Sequence, residues 1–307
     1  MLEIIKSNTS INFVSKFSKT AIISLILVAV SVFGIVTKLN YGVDFRGGAE
    51  IQIKFQEAVN LNDVRKTLKA AGFKGIAAQS IGELSENEFI VKVQGDETNL
   101  NEITEQVSTS LKNSFSAQGV EVRKVDIVGP KAGAQLRISG FQAMLWALIA
   151  IMIYIGLRFD FKYSPGAIFA LFHDVTIILG VFSFCNIEFT LQTVAALLAV
   201  IGYSVNDTVI VYDRVREHEE KYADLPLSTH INQAVNETLS RTIMTSLTTL
   251  FVSVVMYSFG GLAIRDFFLA ITLGVVIGTY SSIFVAAPIT LLFDKFSKGD
   301  VEAPAEA

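Results

Sequence analysis

TLQTVAALLAVIGYSVNDTVIVY, from Thr190 to Tyr212, is long and apolar enough to cross a lipid bilayer, yet it carries one charged residue, Asp207. A spanning helix needs about 20 mostly apolar residues to cover roughly 30 Å of hydrocarbon. A charged group inside such a span is expensive, so Asp207 needs either a partner or a task. Outward from this stretch, five more segments satisfy the same test: about 19–38, 139–157, 165–185, 242–260 and 266–293. The last is longer than required, which implies tilt or extension past the interface. Ala21 to Val36 carries no charge and no small-residue cleavage site follows it, so the first segment reads as a retained helix rather than a cleaved leader.

Composition agrees. Hydrophobic residues make up 51% of the 307, mean hydropathy is +0.50, and charged residues are 18%, below the usual quarter. A net charge of −4 gives no basic stripe for nucleic acid. The lone cysteine, Cys185, excludes an internal disulfide and a thiolate metal cluster.

Basic residues set the expected orientation. Lys6, Lys16 and Lys19 precede span one; Arg158 and Lys162 join spans two and three; Arg214, Arg216, Lys221 and Arg241 lie between spans four and five; Lys295 and Lys298 follow span six. The two short connections on the other side hold Arg265. The positive-inside rule places both termini, residues 1–18 and 294–307, in the cytoplasm with the 213–241 connection, and residues 39–136 outside.

The outside segment has its own pattern. Ile51, Ile53 and Phe55 alternate with Gln52 and Lys54, a half-buried strand. Leu61, Val64, Leu68 and Ala71 recur at helical spacing and Gly72 reads as the stop. Ile76–Ile81 reads as a strand, Glu83–Asn87 as a turn, and Phe89, Val91 and Val93 as a third strand. A second helical stripe, Leu100, Ile103, Val107 and Leu111, follows Thr98 as N-cap and ends by Gly119. Val120 and Val122 open a last strand that Val125 and Ile127 continue in the opposite phase, which predicts a bulge near Arg123 and Lys124. The order βαββαβ is the ferredoxin-like arrangement. The predicted fold is thus six transmembrane helices with one external α+β domain between helices one and two. That domain holds no His or Cys, and a binding or lever role is expected of it.

Three places carry intramembrane ionisable groups. Asp207 lies about 8–12 Å from the cytoplasmic end of span four, flanked by Asn206 and Thr208. It reads either as a carboxylate bonded to a neighbouring helix or as a proton carrier, since burial favours the neutral carboxyl and a nearby cation the charged one. His173–Asp174 in span three lies at a similar depth on an antiparallel neighbour. Adjacent residues diverge by about 100° on a helix, so the two are not expected to face one partner. Arg241 opens span five, as a snorkelling residue or as the counter-charge of Asp207. Thr242, Thr245, Ser246, Thr248 and Thr249 follow it, as a polar path or as interhelical glue. Arg265–Asp266 reads as a local pair in an outer turn.

YGVDFRGG, Tyr41 to Gly48, resembles the opening of the external domain in the SecD/SecF family of export proteins, within the resistance–nodulation–division superfamily. GYSVNDTVIVYDR, Gly202 to Arg214, and the short external domain resemble its SecF branch. The resemblance extends from span one to span six. It implies a multi-pass protein of the bacterial inner membrane, an auxiliary subunit of the Sec translocase. It implies pairing with SecD into a pseudo-symmetric twelve-span unit, association with the SecYEG channel and YajC, action after the motor SecA, and contact with the translocating polypeptide. Proton flow would drive the external domains, with Asp207 and Arg241 at the positions linked to that flow. By their place in the spans, not by the resemblance, Asp174, Asn206 and Thr208 are secondary candidates for proton coupling. Asp44, Phe45, Arg46, Gly47 and Gly48 form the motif at the external-domain junction, where the paired glycines suggest a tight turn from helix into strand. No cofactor or metal is implied, and no enzyme activity. The alternative is a half-size exporter of small molecules or lipids from the same superfamily, against which the small external domain argues. An intramembrane enzyme has His173–Asp174 for support, without HExxH or GxSxG.

Overall fold

The computed structural model describes residues 10–73, 76–81, 87–93, 99–159 and 161–299. Six of its helical segments are long and apolar enough to cross a membrane. They are built on α1 (Phe17–Lys38), α5 (Pro130–Arg158), α6 (Ser164–Phe184), α7 (Leu191–Lys221), α8 (Leu227–Phe259) and the pair α9 (Leu262–Ser281) and α10 (Ala287–Gly299). Between α1 and α5 lie β1 (Asn40–Tyr41), α2 (Val43–Arg46), β2 (Gly48–Phe55), α3 (Leu61–Ala70), β3 (Ala77–Ile81), β4 (Glu88–Val93), α4 (Leu100–Ser114) and β5 (Val120–Val128). A two-residue strand, β6 (Glu188–Phe189), joins α6 to α7.

The helices outrun their hydropathy. α5 starts at Pro130, where hydropathy reads 139, because proline suits a first helical turn. α7 continues to Lys221 and α8 begins at Leu227, so most of the 213–241 connection is helix. Apolar periodicity marks where a chain leaves lipid, not where its backbone ladder ends. The last span is broken by a π turn, Ser282–Ala286. Pro288 supplies a local cause: it has no N–H for the carbonyl one turn back and its ring crowds that turn.

The external sheet has strand order β3-β4-β2-β5, all neighbours antiparallel. With two helices on one face, that is the ferredoxin-like arrangement. The bulge falls at Arg123: Gln52 pairs with Lys124 and Ile53 with Val122. Val125 and Ile127 therefore share the face of the buried Ile51, though the helices leave both exposed. α3 is capped by the Asn60 side chain, which accepts from the Asn62 N–H, and Gly72 at φ +85° turns the chain out. Asn99, not Thr98, occupies the N-cap of α4; Thr98 and most of the 83–87 turn lie outside the described residues.

Apolar packing falls into three clusters. Ile51, Ile53, Val91, Val107 and Leu111 fill the external domain, where burial from water contributes about 1.5–3 kcal/mol per large side chain. Phe45, Ile178, Phe182, Leu197 and Val200 fill the half of the bundle nearer that domain. Tyr163, Ala167, Tyr212, Ile231 and Ile283 fill the far half. Lipid gives no hydrophobic drive between helices, so close backbone approach through small residues does the work. A Cβ at Gly180 of α6 would collide with Ser31 of α1; at Gly202 no described residue outside its own stretch of helix would lie within 4 Å of one. Gly180→Ala is expected to lower the melting temperature of the detergent-solubilised protein, and Gly202→Ala to hold or raise it. A melting temperature unchanged by Gly180→Ala would refute this packing.

Candidate functional site

The two bundle clusters do not meet smoothly. Between them runs a seam of buried polar residues: His173 and Asp174 from α6, Ser204, Asp207 and Thr208 from α7, Thr242 and Ser246 from α8, and Ser281 from the end of α9. Every one is at most 8% exposed.

Asp174 is satisfied. Its Oδ2 accepts from Ser204 Oγ at 2.7 Å and Ser281 Oγ at 2.8 Å, and His173 Nδ1 lies 3.0 Å from Oδ1. One carboxyl group therefore ties α6 to α7 and to the residue just before the π turn. The expectation that His173 and Asp174 cannot face one partner is wrong. His173 stacks on Tyr280, with ring centroids 6.0 Å apart, while Asp174 takes Ser281. Tyr280 and Ser281 are themselves adjacent, so their own divergence matches that of His173 and Asp174. The Tyr280 hydroxyl reaches α1, at 2.9 Å from Ser24 Oγ and 3.1 Å from the Thr20 carbonyl.

Asp207 is the opposite case. It is 1% exposed, and neither carboxyl oxygen has a hydrogen-bond partner among the described residues. Thr242 Oγ1 on the neighbouring α8 is likewise buried and unpartnered. Tyr203, one turn before Asp207, donates to Ser246 of α8 at 3.4 Å, and Ser246 lies 2.6 Å from Thr279 of α9. This antiparallel register places Thr242 opposite Asp207. Thr208 bonds back to the Ser204 carbonyl, while Asn206 faces outward.

Arg241 is exposed, and no ion pair or hydrogen bond joins its guanidinium to another described residue. It is close enough for its charge to act on Asp207 through space. It lines a cleft of about 490 Å³ with Arg158, Asp213, Glu217 and Glu237 at the far end of the bundle. Of the span-five hydroxyls, Thr245, Thr248 and Thr249 bond back to their own helix. Ser246 crosses to its neighbours. Among the described residues Arg265 and Asp266 share no salt bridge, though the Arg265 charge acts on Asp266 through space: Arg265 turns to the Tyr257 hydroxyl at 3.2 Å and over its ring.

The YGVDFRGG residues gather at the other end. α2 is one turn, after which Gly47 (φ +82°) and Gly48 (φ +149°) carry the chain into β2. A Cβ on Gly47 would meet the Pro130 backbone at 2.7 Å, and one on Gly48 the Val93 carbonyl at 2.4 Å, so side chains are excluded there by contact as well as by φ. Phe45 is buried and stacks on Phe189 at 5.2 Å. Asp44 Oδ2 accepts the Leu191 N–H at 3.0 Å, a first-turn donor of α7 with no partner in its own helix. Arg46 is exposed. Sequence reading missed Lys92 and Glu188, whose Nζ and Oε2 lie 2.6 Å apart. Nothing in their spacing announces the pair. Beside them, burial pushes the Glu50 carboxyl above the usual carboxylate range, against the pull of Lys92. Among the described residues no group of three His, Cys, Asp or Glu could hold a metal ion.

Comparison with known proteins places this geometry. Residues 106–295 match the protein export membrane protein SecD/SecF C-terminal model, and residues 32–59 match the SecD/SecF GG motif. Protein translocase subunit SecF of Magnetococcus marinus is 43% identical over 98% of this chain and 98% of its own. That of Rickettsia prowazekii is 42% identical over 92% and 90%. Crystal structures of SecDF superpose with a TM-score of 0.82 at 32% identity for the Thermus protein, described as translocon-associated. The super-membrane-facing form gives 0.71 at 33% identity. These cover 95% and 96% of this chain, which spans 40% of the length of each SecDF chain.

The two carboxyl groups are expected to differ in stability. Asp174→Ala leaves the buried Ser204 hydroxyl and His173 Nδ1 unpartnered, while Ser281 keeps the Gly278 carbonyl, at a cost of about 1–3 kcal/mol for each orphaned group, and lowers the thermal midpoint in detergent. Asp207→Asn removes no hydrogen bond and leaves that midpoint unchanged or raised. Equal losses in both variants would contradict the geometry.

Proposed function

Because the chain belongs to the SecD/SecF family of protein-export membrane proteins, we propose that it serves the Sec translocase as an auxiliary subunit, converting the proton-motive force into work on the exported chain. It is a multi-pass membrane protein. We place it in the bacterial inner membrane with both termini cytoplasmic, on the strength of the basic residues of its connections.

The observation that carries this reading is Asp207: a buried carboxyl group that makes no hydrogen bond in the described structure, midway along a spanning helix. An ionised, unpaired carboxylate there is costly, whereas the protonated form is tolerable. Proton loss therefore creates a strong demand for a counter-charge. Arg241 can supply it if α8 shifts against α7, as it is held by no described partner. A unit charge crossing 100 mV is worth about 2.3 kcal/mol, and one or two protons cover the several kcal/mol of a two-state population shift.

The partner follows from what the bundle leaves uncovered. Asn206 and Arg241 are exposed near the depth of Asp207, where lipid tails cannot hydrogen-bond them. A second six-span half with a matching polar seam would cover them. The chain's 40% share of the SecDF length supports assigning that half to SecD. Association with SecYEG, YajC and SecA, and action on the translocating polypeptide instead of on a small-molecule substrate, belong to the same proposal.

Asp207→Asn in the intact complex is expected to abolish gradient-stimulated translocation in membrane vesicles while leaving complex assembly intact. Unimpaired stimulation in this variant would remove the proton-carrier role.

A further inference from the structure

The connection from α6 to α7 is the meeting point of the external domain and the helix that carries Asp207. Its strand β6 pairs in parallel with β1, Asn40 against Glu188 and Tyr41 against Phe189. The Gly42 N–H continues the ladder to the Phe189 carbonyl at 2.9 Å. Two fastenings are made by side chains. Asp44 accepts the N–H of Leu191, the first residue of α7, at 3.0 Å. Lys92, on the central strand β4, donates to Glu188 at 2.6 Å, with Glu50 of β2 at 4.0 Å.

Both side chains of the Lys92–Glu188 pair are mostly shielded, at 16% and 19% exposure. A shielded ion pair is screened less than a surface one and loses more when one partner is removed. Asp266, near the start of α9, is within electrostatic reach of Lys92 and Glu188, so the lysine stands among three acidic groups. From Leu191 to Asp207 the backbone is unbroken helix, about 24 Å at 1.5 Å per residue. Such a rod delivers a displacement of Asp207 to its outer end with little loss.

We propose that Lys92, Glu188 and Asp44 are positioning residues for energy coupling: they fasten the outer end of α7 to the external sheet, so that displacement of the helix at Asp207 moves the external domain. The proposal rests on the proton-driven reading above. It treats the contact as a permanent linkage, not as a clasp that opens.

The test uses the full complex in vesicles with an imposed gradient, reading translocation and, separately, gradient decay with a pH-sensitive dye. In a Cys185→Ser background, Lys92→Cys with Glu188→Cys removes the ion pair. The expected result is loss of gradient-stimulated translocation with the gradient still dissipated and the complex still assembled. Joining the two thiols with a short reversible bifunctional reagent should restore stimulation, and reductant should abolish it again. The exchange Lys92→Glu with Glu188→Lys should retain more stimulation than Glu188→Lys by itself. Wild-type stimulation in the unlinked cysteine pair would overturn the proposal. So would loss of stimulation on linking, or joint loss of translocation and gradient decay, which marks a purely structural contact. Failure of Asp207→Asn to impair stimulation would sink the proton-driven reading instead.

Discussion

Lipid offers no hydrogen bonds, and that one constraint organises the protein. Backbone groups meet it by forming helices. Side chains meet it by collecting in one seam between two apolar clusters, where Asp174, Ser204 and Ser281 satisfy one another across three helices. Asp207, a single turn from Ser204, sits in the same seam and bonds to no described residue. A buried charge with no partner is unstable, and a group that can shed its charge by taking a proton is the one kind of residue that can live there. The contrast between the two carboxyl groups separates the part of the seam that holds the bundle together from the part that can switch.

The seam is also where the last span departs from regular helix. Ser281 donates to Asp174 immediately before the π turn, and Pro288 follows two residues after that turn ends. A break in the ladder makes that span bendable, and the serine bond pins one side of the break to α6. At the outer end the same economy recurs on a different scale. The glycine pair admits no side chain, so the chain leaving α2 meets the start of α5 and strand β4 of the external sheet at backbone contact distance. Seam and junction share α7, the helix running from one to the other.

Legibility followed the range of the interactions. The Arg123 bulge could be read in advance because a phase change between Val122 and Val125 is a local signal. The strands, the helical stripes of α3 and α4, and the six spans could be read for the same reason: period and hydropathy are properties of neighbours in sequence. Asp207 was conspicuous because a charge in an apolar run needs no structure to be noticed. The partners of Asp174 were not readable. Ser204 is 30 residues away and Ser281 is 107, and serines are common in spans. Reasoning from one helix also misled: two adjacent residues diverge on α6, but a neighbouring helix can present two adjacent residues that diverge to match. Lys92 and Glu188, 96 residues apart, were invisible for the same reason.

The sequence by itself determined that the chain has six segments fit to cross lipid, that a βαββαβ domain follows the first, and that two carboxyl groups, Asp174 and Asp207, lie within spans, because burial patterns and the cost of charge act residue by residue. Tertiary structure decided which carboxyl group is quenched and which is bare, and which loop touches which sheet. Those outcomes depend on helix rotation and register, which apolar stripes constrain to a face but not to a partner atom.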